Sequence, residues 1–188
     1  MRSSFLLCVV CLFPLTTRAG DGGSDSVGEI YVHGILQENT CSLEMDSAWQ
    51  EVDMGVTTHS MVNASGNRTQ PVNVTLYLRD CPEVESWSVN NPTLTKTWST
   101  LQPGYQARFE AVADESNPDL IAVKGASGVG LRMRDNHGRT VKLSALSSTV
   151  LLSPGQNEVK YTLEPVRTQA VFRPGAYYAL IYFSMNYQ

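Results

Sequence analysis

Four cysteines and three histidines are the residues here whose types could hold a metal, run redox chemistry or form a nucleophile–base pair. Cys8 and Cys11 sit in an apolar N-terminal run, which leaves Cys41 and Cys81, and His33, His59 and His137 are scattered with no carboxylate cluster beside them. A structural metal site wants four ligands at short spacing, so no metal is expected. There is no Gly-x-Ser-x-Gly elbow, no His-Glu-x-x-His pair and no phosphate-cradling glycine loop. Gly125 to Gly130 lies between strand patterns, without a following lysine or helix start, and Asp114-Glu115 reads as a solvated loop. The chain is therefore expected to be neither an enzyme nor a cofactor carrier. The chemistry left is a single disulfide between Cys41 and Cys81, the reading an even pair takes in an exported chain.

Export is predicted by the first nineteen residues. Arg2 supplies a positive start, Phe5 to Leu15 an apolar run of about a dozen residues, and Thr17-Arg18-Ala19 a cleavage site with small residues at −3 and −1. Such a run is too short to span a bilayer, which needs roughly 20 apolar residues. Val10 before Cys11 does not suit a lipoprotein site. Residues 1–19 are thus expected to be a signal peptide, and no later stretch is long enough to be an integral membrane segment. Without them 169 residues remain, with 12 Lys+Arg against 18 Asp+Glu and a net charge of −6. That balance argues against nucleic acid as a partner, and the length suits one domain.

The elements that must position the cysteines have a period of two. Val72, Val74, Leu76 and Leu78 alternate with Asn73, Thr75, Tyr77 and Arg79 in a strand that runs into Cys81. Ala107, Phe109 and Ala111 repeat the pattern, as do Val129, Leu131 and Met133, then Val141 and Leu143, and Val159, Tyr161 and Leu163. Ala176 to Tyr187 reads as the longest strand. Turn signals at Ser65-Gly66-Asn67, Gln102-Pro103-Gly104, Asp135-Asn136-His137-Gly138, Ser153-Pro154-Gly155 and Arg173-Pro174-Gly175 separate the runs. Many short strands in one disulfide-linked domain predict an all-β sandwich or barrel. No stretch shows convincing helical spacing. Asp80 to Thr100 is the least regular segment, a long loop or edge excursion, and Gly20 to Ser26 has the composition of a disordered tail.

Two segments stand apart. Ile30 to Leu36 is strongly β-forming yet follows that tail directly, and the last strand stops at Gln188 with no residue to spare. A sandwich ending this way would leave an unpaired edge. Trp49 is expected to pack against the disulfide region. Trp87 and Trp98, with Tyr105, are candidates for an aromatic binding patch. The sequons at Asn63, Asn67 and Asn73 are read as coincidence in a Ser/Thr/Asn-rich chain.

Over essentially its whole mature length the chain resembles the pilins of chaperone–usher fimbriae. The resemblance rests on Gly34 seven residues before Cys41, on Cys81, and on Phe109-Glu110-Ala111, Pro118-Asp119-Leu120 and Ala126 to Leu131, then Asp135 and Gly138. Most specific is the C-terminus, with Tyr187 penultimate and Gly175 fourteenth from the end. It implies an incomplete Ig-like β-sandwich lacking its final strand, a pilin domain over 41–188 and an N-terminal extension over 20–40 that lends a strand to a neighbour by β-strand addition. Ile30, Val32, Gly34 and Leu36 would be the donor residues. Gly175, Tyr177, Ala179, Ile181, Phe183, Met185, Tyr187 and the terminal Gln188 would form the groove and the handle gripped by a chaperone. The implied partners are a periplasmic chaperone, an outer-membrane usher and neighbouring subunits, on the way from the periplasm to a surface fimbrium.

Within that family the expectation is a structural minor subunit. Cys41-Ser42-Leu43-Glu44-Met45, Ala48-Trp49-Gln50 and Asp53-Met54-Gly55 are similar to anchoring subunits that terminate growth, which gives an alternative that donates but does not accept. The alternatives of another class are a carbohydrate-binding adhesin and a secreted Ig-like receptor module. Only 21 residues lie between Ala19 and Cys41, too few for the lectin domain of a tip adhesin.

Overall fold

The computed structural model describes residues 29–34, 40–63, 69–90 and 93–187. The chain divides into a unit ending at Leu36 and a main unit from Gln37 to Gln188. In the first, residues 29–34 carry no regular secondary structure, and Ile30, Tyr31 and Val32 are all more than four-fifths exposed. The Tyr31 and His33 rings lie 5.5 Å apart, as side chains two residues apart do on one side of an extended backbone.

The main unit is built from two facing sheets. The larger holds β1 (Ser42–Leu43), β2 (Val72–Cys81), β6 (Ile121–Ala122), β7 (Val129–Asp135) and β9 (Gly155–Arg167), in the order β1-β2-β9-β7-β6. The smaller holds β5 (Gly104–Glu110), β8 (Val150–Leu151) and β10 (Tyr182–Tyr187), in the order β10-β5-β8. A separate hairpin joins β3 (Ser86–Asn90) to β4 (Thr95–Ser99). The predicted alternation sets the inward faces. Leu76 and Leu78 of β2, Leu131 and Met133 of β7, and Val159, Tyr161 and Leu163 of β9 are buried against Tyr105, Ala107 and Phe109 of β5. Phe109 meets Tyr161 edge to face across the layers, with centroids 4.8 Å apart, a geometry that suits the ring quadrupoles.

The disulfide forms between Cys41 and Cys81 as expected, both residues buried in the same core. It ties the start of β1 to the end of β2, where the register with β9 slips between Leu78 and Cys81.

Several expectations change. The longest strand is β9, of 13 residues, while regular pairing at the C-terminus covers only the 6 of β10. Before β10, the segment touches other backbone at isolated bridges, Arg173 to Ser127 and Tyr178 to Lys124, so its alternation persists without a continuous ladder. Asp80 to Thr100 is more ordered than composition suggests, because it contains β3 and β4. Among the described residues two short helices also occur, α1 (Met45–Ala48) and α2 (His59–Asn63), each too brief to show a 3.6-residue period. Trp49 is 89 % exposed rather than packed at the disulfide. Ser47 takes the inward position of α1 instead, and its Oγ accepts the Tyr77 amide at 2.8 Å. After the turn at Asp135, Val141 donates to the Met133 carbonyl without entering a named strand.

Candidate functional site

β10 ends its sheet. One edge pairs with β5 from Tyr182↔Glu110 to Tyr187↔Tyr105, and no strand pairs with the other edge among the described residues. The backbone alternation of 176–187 sorts its side chains into two rows. Tyr177, Ala179, Ile181, Phe183, Met185 and Tyr187 are each half-buried and packed on the core, whereas Tyr178, Leu180 and Tyr182 face solvent. The inner row therefore brings together the side chains that share parity in the sequence. Phe183 lies 6.2 Å from Phe109, centroid to centroid. The hydroxyl of Tyr177 is buried with no hydrogen-bond partner among the described residues. Half-covered apolar side chains beside an unpaired backbone edge make a surface that another strand can complete, gaining apolar burial and ladder hydrogen bonds together.

Gly175 opens this segment for a steric reason. Its backbone passes so close to Gly125 that a Cβ on either glycine would run into the other's strand, into the Gly125 carbonyl from Gly175 and into the Ala176 carbonyl from Gly125. Gly125 also has φ +98°, a conformation that side-chain-bearing residues rarely adopt. Gly175→Val is expected to push this crossing apart and cost about 2–4 kcal/mol of stability. A chemical-denaturation series that includes Gly175→Ala checks it, with the cost rising from Ala to Val.

Titration does not give the site an acid–base role. Burial pushes the phenols of Tyr105, Tyr161 and Tyr187 above their ordinary range, with the neighbouring Tyr161 adding to the effect at Tyr105. They remain neutral core side chains. No group of three or more His, Cys, Asp or Glu positioned for a metal occurs among the described residues. Of the expected site residues, Leu36 and Gln188 lie outside the described residues, and Ile30, Val32 and Gly34 belong to the N-terminal unit.

Sequence reasoning missed two supports. Arg167, at the end of β9, places Nη1 within hydrogen-bond reach of the carbonyls of Gly128, Thr168 and Ala170, and its guanidinium lies 6.0 Å from the Phe172 ring. It pins the chain just upstream of Gly175. Gln50 donates from Nε2 to the Thr75 carbonyl at 2.8 Å, holding the stretch after α1 against β2. Both are long polar side chains that each reach one carbonyl distant in sequence, and nothing in a one-dimensional pattern marks them.

A two-layer sandwich with one disulfide and a half-covered C-terminal row on an open edge is the fold of a pilin. The structure of the P pilus rod subunit PapA aligns with a TM-score of 0.62 over 80 % of this chain and 100 % of that one, at 19 % identity. A family model described as fimbrial protein matches residues 29–188, so the chain belongs to the fimbrial protein family, as the pilin resemblance implied. Relatives include the probable major fimbrial subunit LpfA of Escherichia coli O157:H7, 28 % identical over 98 % of this chain and 95 % of that protein. The PRS fimbrial minor pilin protein of Escherichia coli is 27 % identical over 86 % of this chain and 77 % of that protein. The chain is thus a structural, non-enzymatic subunit that associates with other pilins in a fimbrium. No helix among the described residues is long and apolar enough to cross a membrane.

Proposed function

We propose that this chain is a minor fimbrial subunit that assembles by donor-strand complementation and exchange. The observation that carries the reading is the inner row from Tyr177 to Tyr187, apolar, half-buried and next to a strand edge unpaired among the described residues. A strand from a periplasmic chaperone covers that row during export, delivers the subunit to an outer-membrane usher, and is replaced by a neighbour's extension. The subunit's own extension, residues 20–40, donates Ile30, Val32, Gly34 and Leu36 to the next groove. The exposure of Ile30 and Val32 supports this role, since apolar side chains of a donor stay uncovered until they enter another subunit. Residues 1–19 direct the chain to the periplasm and are removed there. The minor role is supported by the similarity of residues 41–55 to anchoring subunits.

The donor half is tested with Ile30→Asp/Val32→Asp. These positions lie outside the main unit, so the chaperone complex is expected at parent yield and with parent melting behaviour. Donation is expected to fail, because two carboxylates cannot enter an apolar groove without a cost of several kcal/mol. Mixing the variant with an acceptor subunit held by its chaperone and counting exchanged complexes on a native gel checks it. Exchange at the parent rate overturns the assignment.

A further inference from the structure

The segment that leads into β10 has an outward row that the core does not explain. Alternation turns Tyr177, Ala179 and Ile181 onto the core and leaves Tyr178, Leu180 and Tyr182 on the other face, 65 %, 62 % and 63 % exposed. Further along the same outward row stand Ser184 and Asn186, so the apolar character is confined to three successive positions. Single exposed apolar side chains are ordinary on a protein surface, whereas three in one row make a patch. Strand propensity favours tyrosine, but Tyr178 and Leu180 lie outside the β10 ladder, where that preference has little to act on. On the paired side the registered neighbours are charged and themselves exposed, Lys124 opposite Tyr178 and Glu110 opposite Tyr182. Both rings stay open to solvent.

The side left is the edge of β10 that is unpaired among the described residues. A strand added there sets its own alternate residues beside this row, because directly opposite residues of neighbouring strands share a face, with Cβ atoms about 4.5–5.5 Å apart. The N-terminal unit shows what such a strand can carry. Tyr31 and His33 flank Val32, their rings lie 5.5 Å apart, and they hold the parity opposite to Ile30, Val32 and Gly34. A strand that turns Ile30 and Val32 inward turns Tyr31 and His33 outward.

We propose that Tyr178, Leu180 and Tyr182 form a second recognition surface for the incoming strand. It fits a pilin N-terminal extension with aromatic residues at successive outward positions, as this chain's own extension has at Tyr31 and His33. This rests on the donor-strand reading and adds to it a contact on the solvent face. The inner row selects for apolar donors, and the outer row discriminates among them. Two cross-strand aromatic pairs are expected to lengthen the bound strand's lifetime about three- to thirtyfold.

The test offers two dye-labelled peptides spanning residues 27–38 to the chaperone-bound protein. One has the natural sequence and one carries Tyr31→Ser/His33→Ser, and both keep Ile30, Val32, Gly34 and Leu36. Both are expected to displace the chaperone, with the serine peptide then leaving about three- to thirtyfold faster. Serine also lowers strand propensity, so the deciding comparison repeats both peptides on Tyr178→Ser/Leu180→Ser/Tyr182→Ser. There the two are expected to leave at nearly the same rate, because the side chains that told them apart are gone. Where the triple variant yields little chaperone complex, Leu180→Ser/Tyr182→Ser serves the same comparison. Equal rates on the parent protein overturn the proposal and leave the donor-strand reading standing. A serine effect as large on the variant as on the parent overturns it too. If neither peptide enters, the groove takes no donor extension, and the proposal falls together with the reading it rests on.

Discussion

Phe183→Asp is expected to abolish recovery of this subunit from the periplasm. Phe183 is central in the inner row, pairs with Phe109 across the β10–β5 ladder and lies against its ring. It is half-buried in the lone chain, and the proposed covering strand would bury it fully. An aspartate there would have to be desolvated without a partner when a strand covers the row, a cost of several kcal/mol against a domain stability of about 5–15 kcal/mol. Phe183→Leu keeps the apolar contact and loses only ring area, so it is expected to yield chaperone complex at a level near the parent. Co-purification with a tagged chaperone reads both variants. Recovery of Phe183→Asp at the parent level would mean that this row is not the surface the chaperone covers.

The second large effect concerns the disulfide. Cys41 and Cys81 close a loop of 40 residues in sequence separation. Removing the bond through Cys41→Ala/Cys81→Ala is expected to cost about 4 kcal/mol by the loop-entropy relation. Its location adds to that expectation. β1 has only two paired residues, Ser42 with Arg79 and Leu43 with Leu78. Beyond Leu43 the contact with β2 passes to α1 through Ser47 and Glu44, each bonded to Tyr77. Without the covalent tie, this first edge has few backbone bonds to hold it, and it belongs to the same buried core as β2 and β9. Denaturant unfolding of the chaperone-bound protein, with reduced and oxidised parent as controls, measures the loss. A double variant as stable as the oxidised parent would contradict the argument.

Much of the fold was legible because its strands are half-buried. Val72 to Leu78 has a polar outer row and an apolar inner one, and the observed burial follows that alternation. The same holds for the inner row of 177–187, whose parity was readable even though residues 177–181 are not in a regular ladder. Legibility failed where structure is set by single contacts. Trp49 reads as a core residue by type, but a four-residue helix presents Ser47 inward and turns the indole to solvent. The β3–β4 hairpin reads as irregular because its Ser and Thr residues alternate with only a few apolar ones, while its position is fixed by Gln102 and Gly104, outside the hairpin. Tyr105 has the sequence signature of a surface aromatic, yet it is buried beside Tyr161 and does not join the two exposed tryptophans. Gly175 was legible as a position, and its reason, the crossing with Gly125, needed three dimensions.

If, as proposed, the main unit is one strand short of complete, thermal melting of the strand-complemented protein shows it most directly. The mature chain would be released from its chaperone and melted alone, then with a synthetic peptide spanning a pilin N-terminal extension. The account predicts a lone chain that is unstable or self-associates, and a melting temperature raised by tens of degrees once the peptide is bound, since a whole strand's hydrogen bonds and apolar burial are added at once. A lone monomer that is already fully stable and indifferent to the peptide would contradict it.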